Sequence, residues 1–132
     1  MNRYPHMAPA DTAIWTRYIR ANQTAFDQVA YDVAVGEGAE FDTVVNPETG
    51  GDIRKLYQRK IDVLATKDGI TYVIEVKPRA STSAIGQVKG YIRLVERDIP
   101  ELKNLRALIV TDSMMPEMEF LAKAEGVEIR VV

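Results

Sequence analysis

The sequence has no cysteine and a single histidine, His6, among its 132 residues. The first absence excludes disulfide frameworks, thiolate metal centres and a cysteine nucleophile. The second removes His-rich zinc chemistry and most histidine-based triads, and His6 itself sits in a proline-flanked leader. No uncharged apolar run approaches the roughly 20 residues that a membrane span requires. The first residues, Met1-Asn2-Arg3-Tyr4-Pro5-His6, lack the hydrophobic region of a signal peptide. An intracellular, cytoplasmic protein with no membrane partner is the expectation. Carboxylates, lysine and hard oxygen-binding cations remain as catalytic equipment.

What is present suits a folded domain. Apolar residues make up 46% and charged residues 27%, and the length suits one domain over residues 1–132 with a loose leader at 1–10. No repeat, linker or low-complexity tract interrupts it. Net charge is −2 from 17 basic and 19 acidic residues, so the chain is no blanket polycation. The basic residues are nonetheless uneven. Arg54, Lys55, Arg59 and Lys60 fall close together, and Lys77, Arg79, Lys89, Arg93 and Arg97 follow. Two readings fit this stripe: a solvated basic face, or a contact with a nucleic-acid backbone.

Periodicity supplies the elements. Asp11-Thr12 precede Ile14, Trp15, Tyr18 and Ile19, one apolar face of a helix over about 12–23. Val29, Tyr31, Val33 and Val35 alternate with Gln28, Ala30, Asp32 and Ala34 in a strand over 25–35. Residues 46–52 read as a loop. Strands over about 58–66 and 70–77 are joined by Asp68-Gly69, a strong hairpin signal. Ser81-Thr82-Ser83 opens a helix to about Arg97. The nearly unbroken apolar run Leu105 to Val110 predicts a strand covered on both faces. Pro116 and Gly126 bracket a short helix, and Val127, Ile129 and Val131 alternate in a last strand. The expected fold class is α/β, a mixed sheet of about five strands flanked by helices in the order α-β-β-β-α-β-α-β. Its strand-helix-strand crossover implies a right-handed parallel pair.

A two-residue Asp68-Gly69 turn pairs Lys67 with Ile70, Leu64 with Val73 and Asp62 with Glu75. Ile61, Val63 and Ala65 then share an apolar face with Tyr72, Ile74 and Val76. The opposite face sets Asp62 beside Glu75, with Lys77 two residues further on. A bulged three-residue turn would slip the register by one, but the clean apolar face favours the tighter turn. Carboxylates opposed at a Cβ separation of roughly 5 Å repel and want a cation between them. Mg²⁺, with Mn²⁺ as its substitute, uses one or two carboxylates plus waters and substrate phosphate oxygens. Lys77 stands where it would position or deprotonate an attacking water. These are the requirements of phosphodiester hydrolysis. On the following helix Gln87 and Tyr91 lie one turn apart at the edge of the apolar stripe, and Tyr91 reads equally well as core. Gly86 and Gly90 each cost roughly 1 kcal/mol against alanine and suggest close approach of another backbone, a strand or a nucleic acid. Trp15, Tyr18 and Tyr31 are assigned to the core.

At these residues the chain resembles the PD-(D/E)xK, restriction-endonuclease-like nuclease superfamily. The matching elements are Ile61-Asp62-Val63, Glu75-Val76-Lys77 and Gln87-Val88-Lys89-Gly90-Tyr91, over about residues 11–132. The last looks like the Gln-x-x-x-Tyr element of the RecB-like and lambda-exonuclease-like branch. The resemblance implies a Mg²⁺-dependent deoxyribonuclease of phage, mobile-element or repair type. Asp62, Glu75 and the Val76 carbonyl would hold the metal, Lys77 would be catalytic, and Gln87 and Tyr91 would hold the DNA strand. Arg59, Lys60, Arg79, Lys89 and Arg93 are the residues expected on phosphates. The first helix departs from the pattern by lacking a glutamate. Asp11 is the nearest counterpart, with an N-cap role in competition, and Asp32 is another. DNA is the expected partner, with specificity from DNA structure, a protein partner or a homodimer. Variants are a junction resolvase and an RNA-directed nuclease. The rival class is a catalytically silent module of the same fold, binding nucleic acid or serving as a structural adaptor in a larger assembly such as a phage particle.

Overall fold

Helix formation begins at a proline. Pro9 takes the first position of α1 (Pro9–Ala21), where its missing N–H would have no intrahelical partner anyway. The helix therefore starts ahead of the expected residue 12, and the leader is shorter than 1–10. Asp11 consequently lies inside the first turn, beyond the N-cap residue Ala8. An N-cap role for Asp11 is thus excluded; its charge meets the positive end of the helix dipole. At the other end the Asn22 side-chain amide donates to the Tyr18 carbonyl at 2.8 Å.

The computed structural model describes residues 7–36 and 59–132. His6, the 46–52 loop, Arg54 and Lys55 lie outside the described residues. After α1 come β1 (Gln28–Val35), β2 (Arg59–Lys67), β3 (Ile70–Val76), α2 (Thr82–Asp98), β4 (Leu105–Thr111), α3 (Met118–Ala124) and β5 (Val127–Val131). This is the expected order, and the sheet runs β1-β2-β3-β4-β5. The first three strands are antiparallel, and β3, β4 and β5 are parallel. Asp68 (φ 51°) and Gly69 (φ 81°) both take left-handed backbone, the geometry that matches a two-residue hairpin to strand twist. The register follows: Lys67 pairs with Ile70 and Leu64 with Val73. The short helix α3 starts later than Pro116 suggests, because Glu117 before it is left-handed at φ 65°.

Helices cover both faces of the sheet. On one, Ile14, Trp15 and Tyr18 of α1 pack with Val63, Ala65, Ile74, Val76, Leu108 and Val110. On the other, Ile85, Val88, Tyr91 and Val95 of α2 and Met118 of α3 pack with Ile61, Leu64, Val73 and Ile109. Strand β4 feeds both layers, which explains its nearly unbroken apolar run. Trp15 is fully buried, and its indole N–H donates to the Tyr31 hydroxyl at 3.0 Å. The Tyr18 and Phe26 rings stand 5.5 and 6.3 Å from the indole.

Alternation breaks at two aspartates. Ile61 packs on the α2 side while Val63 and Ala65 pack on the α1 side, so the three do not share the expected face. In β1, Tyr31 packs on the α1 side and Val33 and Val35 on the α2 side. The residue between them, Asp32, is left-handed at φ 56°, and it lies opposite Asp62 in the β1–β2 register. A left-handed residue reverses the up-down sequence of the pleat, and aspartate is among the few side chains that tolerate it.

Because Trp15 joins α1 to the sheet by both packing and a hydrogen bond, Trp15→Ala should lower stability by about 3–5 kcal/mol in chemical denaturation. A loss below about 1 kcal/mol would show that α1 contributes little to this core.

Candidate active site

The β2–β3 ladder runs from Lys67–Ile70 to Val63–Ile74 and stops one residue short of Asp62 and Glu75. The N–H of Lys77 donates to Val110 of β4 at 3.0 Å, so by strand alternation the N–H and C=O of Val76 point toward β2. There the Val76 N–H donates to Asp62 Oδ2 at 2.9 Å. A carboxylate has replaced the next rung of the ladder. Asp62 and Glu75 are therefore not the opposed ladder pair that the hairpin register predicts, but the opening between the strands keeps them within electrostatic reach of each other.

Burial dominates the electrostatics. Glu75 is only 8% exposed, and desolvation pushes its carboxyl up to about 8. The Asp62 charge adds to the shift, Lys77 opposes it, and Asp11 adds again. Asp62, half-buried, is pushed up to about 6, first by desolvation. The Val76 N–H and Lys77 hold it down, while Asp11 and Asp32 raise it. Asp11 is itself raised by burial and lowered by Lys77. Three carboxyls, from α1, β2 and β3, thus share Lys77, and Asp32 of β1 adds its charge beside Asp62. Asp32 is also tied to Lys60 at 3.5 Å and is 13% exposed. Helix α2 adds Tyr91, 8% exposed, whose hydroxyl is raised by burial, then by Glu75 and Asp62, with Arg59 opposing.

These contacts bring together Asp62, Glu75, Lys77 and Tyr91, with Asp11 at one side and Asp32, Lys60 and Arg59 at another. Gln87, half-buried one turn before Tyr91, has its Oε1 buried without a hydrogen-bond partner among the described residues. The other basic residues are engaged elsewhere. Lys89 is paired with Glu125 just past α3, and Arg93 with Glu96 at 3.4 Å. The N–H of Arg79 donates to Asp112 at 2.8 Å, and its side chain lies on the Met115 sulfur. Gly86 and Gly90 are exposed, and a Cβ at either would meet nothing within 4 Å. No strand presses on them, which removes one of the two reasons inferred for their presence. Asp32 is the residue whose place a simple alternation obscures. Its sequence signal is an aspartate inside an apolar strand, facing a second aspartate in the next.

Oxygen donors of this kind suit a hard divalent cation. Among the described residues no three such side chains form a ready ligand cluster. The set therefore fits an ion that draws the rest of its shell from backbone oxygen, water and substrate, as Mg²⁺ does.

The fold resembles those of a repair endonuclease from Pyrococcus abyssi (TM-score 0.54, 20% identity) and of an EndoMS–dsDNA2 complex (TM-score 0.55, 18% identity). Each likeness covers all of this chain and, respectively, 49% and 48% of the other. At the sequence level the chain is 32% identical over 69 residues to endonuclease NucS of Arthrobacter sp. (strain FB24), and equally to that of Pseudarthrobacter chlorophenolicus. That stretch is 52% of this chain and 29% of either relative, so the chain matches less than a third of their length. The family model for the endonuclease NucS C-terminal domain matches residues 53–132, a span that holds Asp62, Glu75, Lys77, Gln87 and Tyr91 and leaves Asp11 and Asp32 outside. With more than half of its length under that match, and a restriction-endonuclease-like sheet to carry it, the chain belongs to the endonuclease NucS C-terminal domain family.

Proposed function

We propose that this protein is a Mg²⁺-dependent nuclease that hydrolyses DNA phosphodiester bonds in a repair setting, inside the cell. The observation that carries this reading is the convergence of Asp62, Glu75 and Lys77 at the end of β3, with both carboxyls raised first by burial, then Glu75 by the Asp62 charge and Asp62 by Asp11 and Asp32. Asp62 gives Oδ2 to the Val76 N–H and keeps Oδ1 for a cation. Glu75 and the Val76 carbonyl complete the protein's share of the ligands, and Asp11 or Asp32 supplies the further acid that the first helix lacks as glutamate. When bound, the ion lowers the pKa of water and offsets the charge that builds on phosphorus. Lys77 orients the attacking water or takes its proton. Tyr91, whose hydroxyl feels the Glu75 charge, and Gln87 one turn before it help hold the DNA strand near the metal, the role of a Gln-x-x-x-Tyr element. Arg59 and Lys60, flanking this centre, meet phosphates first. Lys89, Arg93 and Arg79 do so only by leaving their present partners, and Gly86 and Gly90 leave room for a backbone to approach α2.

Asp62→Asn or Glu75→Gln should abolish Mg²⁺ and Mn²⁺ binding in calorimetry together with cleavage of plasmid or linear DNA. Unchanged rates in both would move the site elsewhere. DNA binding that survives chelator without any cleavage by the parent would favour the silent module, whose support is the missing first-helix glutamate.

Lys77→Ala should keep the metal, since lysine is no ligand, and lower the rate by about 10²–10⁴-fold, the usual worth of a positioned acid-base group. A rate within about threefold of the parent would reduce Lys77 to a local charge.

The metal-free site also predicts a pH dependence of stability. Unfolded carboxyls titrate near 4, whereas Asp62 and Glu75 titrate at about 6 and about 8 in the fold. The native state holds more protons across that interval, so stability is full below about 4 and falls as pH rises through 6 and 8. In chelator, Tm should drop between mildly acidic and mildly alkaline buffer. Glu75→Gln should remove much of the drop, and Mg²⁺ should reverse it in the parent alone. A flat profile in chelator would contradict the buried-carboxylate assignment.

A further inference from the structure

Strand β5 is an edge of the sheet, and its five residues have an internal symmetry. The Val132 N–H donates to Thr111 of β4 at 2.8 Å. By alternation the even-numbered residues of β5 face β4 with their backbone groups, and Val127, Ile129 and Val131 turn N–H and C=O outward. Among the described residues no further strand pairs with this edge. The opposite edge, β1, is interrupted by left-handed Asp32, whereas β5 is regular and carries no proline or lysine.

The side chains specify what fits. Val127 and Ile129 lie on the α3 side of the sheet, and Glu128 and Arg130, partners of Leu108 and Val110 in the parallel register, on the α1 side. Read in either direction, Val127-Glu128-Ile129-Arg130-Val131 has valine at both ends, isoleucine at the centre and opposite charges between. We propose that β5 is a self-pairing edge, to which a second copy of this chain adds its own β5 antiparallel about a two-fold axis through Ile129.

In that register Ile129 faces the partner's Ile129, and Val127 faces the partner's Val131. All of these residues present outward backbone groups, so the ladder closes. Glu128 and Arg130, paired with each other at 3.2 Å in the single chain, face the partner's Arg130 and the partner's Glu128 in the close non-hydrogen-bonded pairs where side chains interact most. A shift of either strand that centres the axis on Glu128 opposes two glutamates, and one that centres it on Arg130 opposes two arginines. The charges thus favour one register and penalise both neighbours. The groove beside the strand repeats the pattern, because it is lined by Glu119 and Lys123 of α3, whose order reverses across the same axis. Among the described residues the exposed large apolar side chains are Met115, Phe120 and Val131, all in this C-terminal unit. The partner is argued from this complementarity and owes nothing to the nuclease reading.

Sedimentation of the full chain over micromolar to millimolar concentration should show a monomer–dimer equilibrium. Glu128→Arg and Arg130→Glu should each weaken it by about tenfold or more, because each turns both cross-strand pairs into like charges. Mixing the two variants should restore a dimer, since one strand is then doubly positive and the other doubly negative. The double exchange Glu128→Arg with Arg130→Glu should self-associate like the parent. Thermal melts of each variant separate lost pairing from lost folding. A parent that stays monomeric at millimolar concentration, or a mixture that fails to recover association while both variants remain folded, overturns the proposal.

Discussion

The hydrogen bond from the Val76 N–H to the Asp62 carboxylate is the constraint on which the candidate site depends. A backbone donor that would have closed the next rung of an antiparallel ladder takes a side-chain oxygen instead. The two strands part at that level, and the gap receives Asp62 from one side and Glu75 from the other. Both helical layers are needed to hold it open. Helix α1 brings Asp11 over one face, and α2 seals the other with Tyr91. The cost of this arrangement is visible as proton affinity. Lys77 lowers both carboxyls, yet each stays well above its ordinary value, so desolvation and repulsion from neighbouring carboxylates outweigh this lysine. A divalent charge is the natural remedy.

Much of the fold was legible because its signals are local and redundant. Asp68-Gly69 specified a two-residue turn, and through it the register of Leu64 with Val73. The Leu105–Val110 run, apolar but for Arg106, matched a strand covered on both sides. The end of α1 that reaches the site was harder, because residues 1–10 lack periodicity and read as a loose leader, whereas Pro9 is an accepted first residue of a helix. The face reversal at Asp32 and Asp62 was not legible from alternation at all. Hydrophobic period counts apolar residues and is blind to a backbone that turns left-handed beneath a polar one. Grouping Ile61 with Val63 followed the period, and the period failed at Asp62 between them.

The basic stripe teaches a related lesson. Proximity in sequence made Arg59, Lys60, Lys89 and Arg93 look like one surface. In the fold Lys60 compensates Asp32, Lys89 is taken by Glu125 at the far end of α3, and Arg93 serves its own helix. Charge composition therefore overstated what is ready for a polyanion and understated how much positive charge the acidic centre consumes. Among the described residues of the stripe, Arg59, Lys60 and Lys77 remain beside the carboxylates.

The chain has one tryptophan, and it lies entirely inside the protein with its N–H bonded to Tyr31. Trp15 is also one helical turn from Asp11, on the face of α1 that meets the sheet. An indole in such surroundings fluoresces at short wavelength, and its emission depends on how α1 sits against β1. Since the same helix delivers a carboxyl to the cluster at its first turn, any adjustment of α1 when that cluster is neutralised passes through the indole's environment. The molecule carries its own optical gauge of the site, with no label attached.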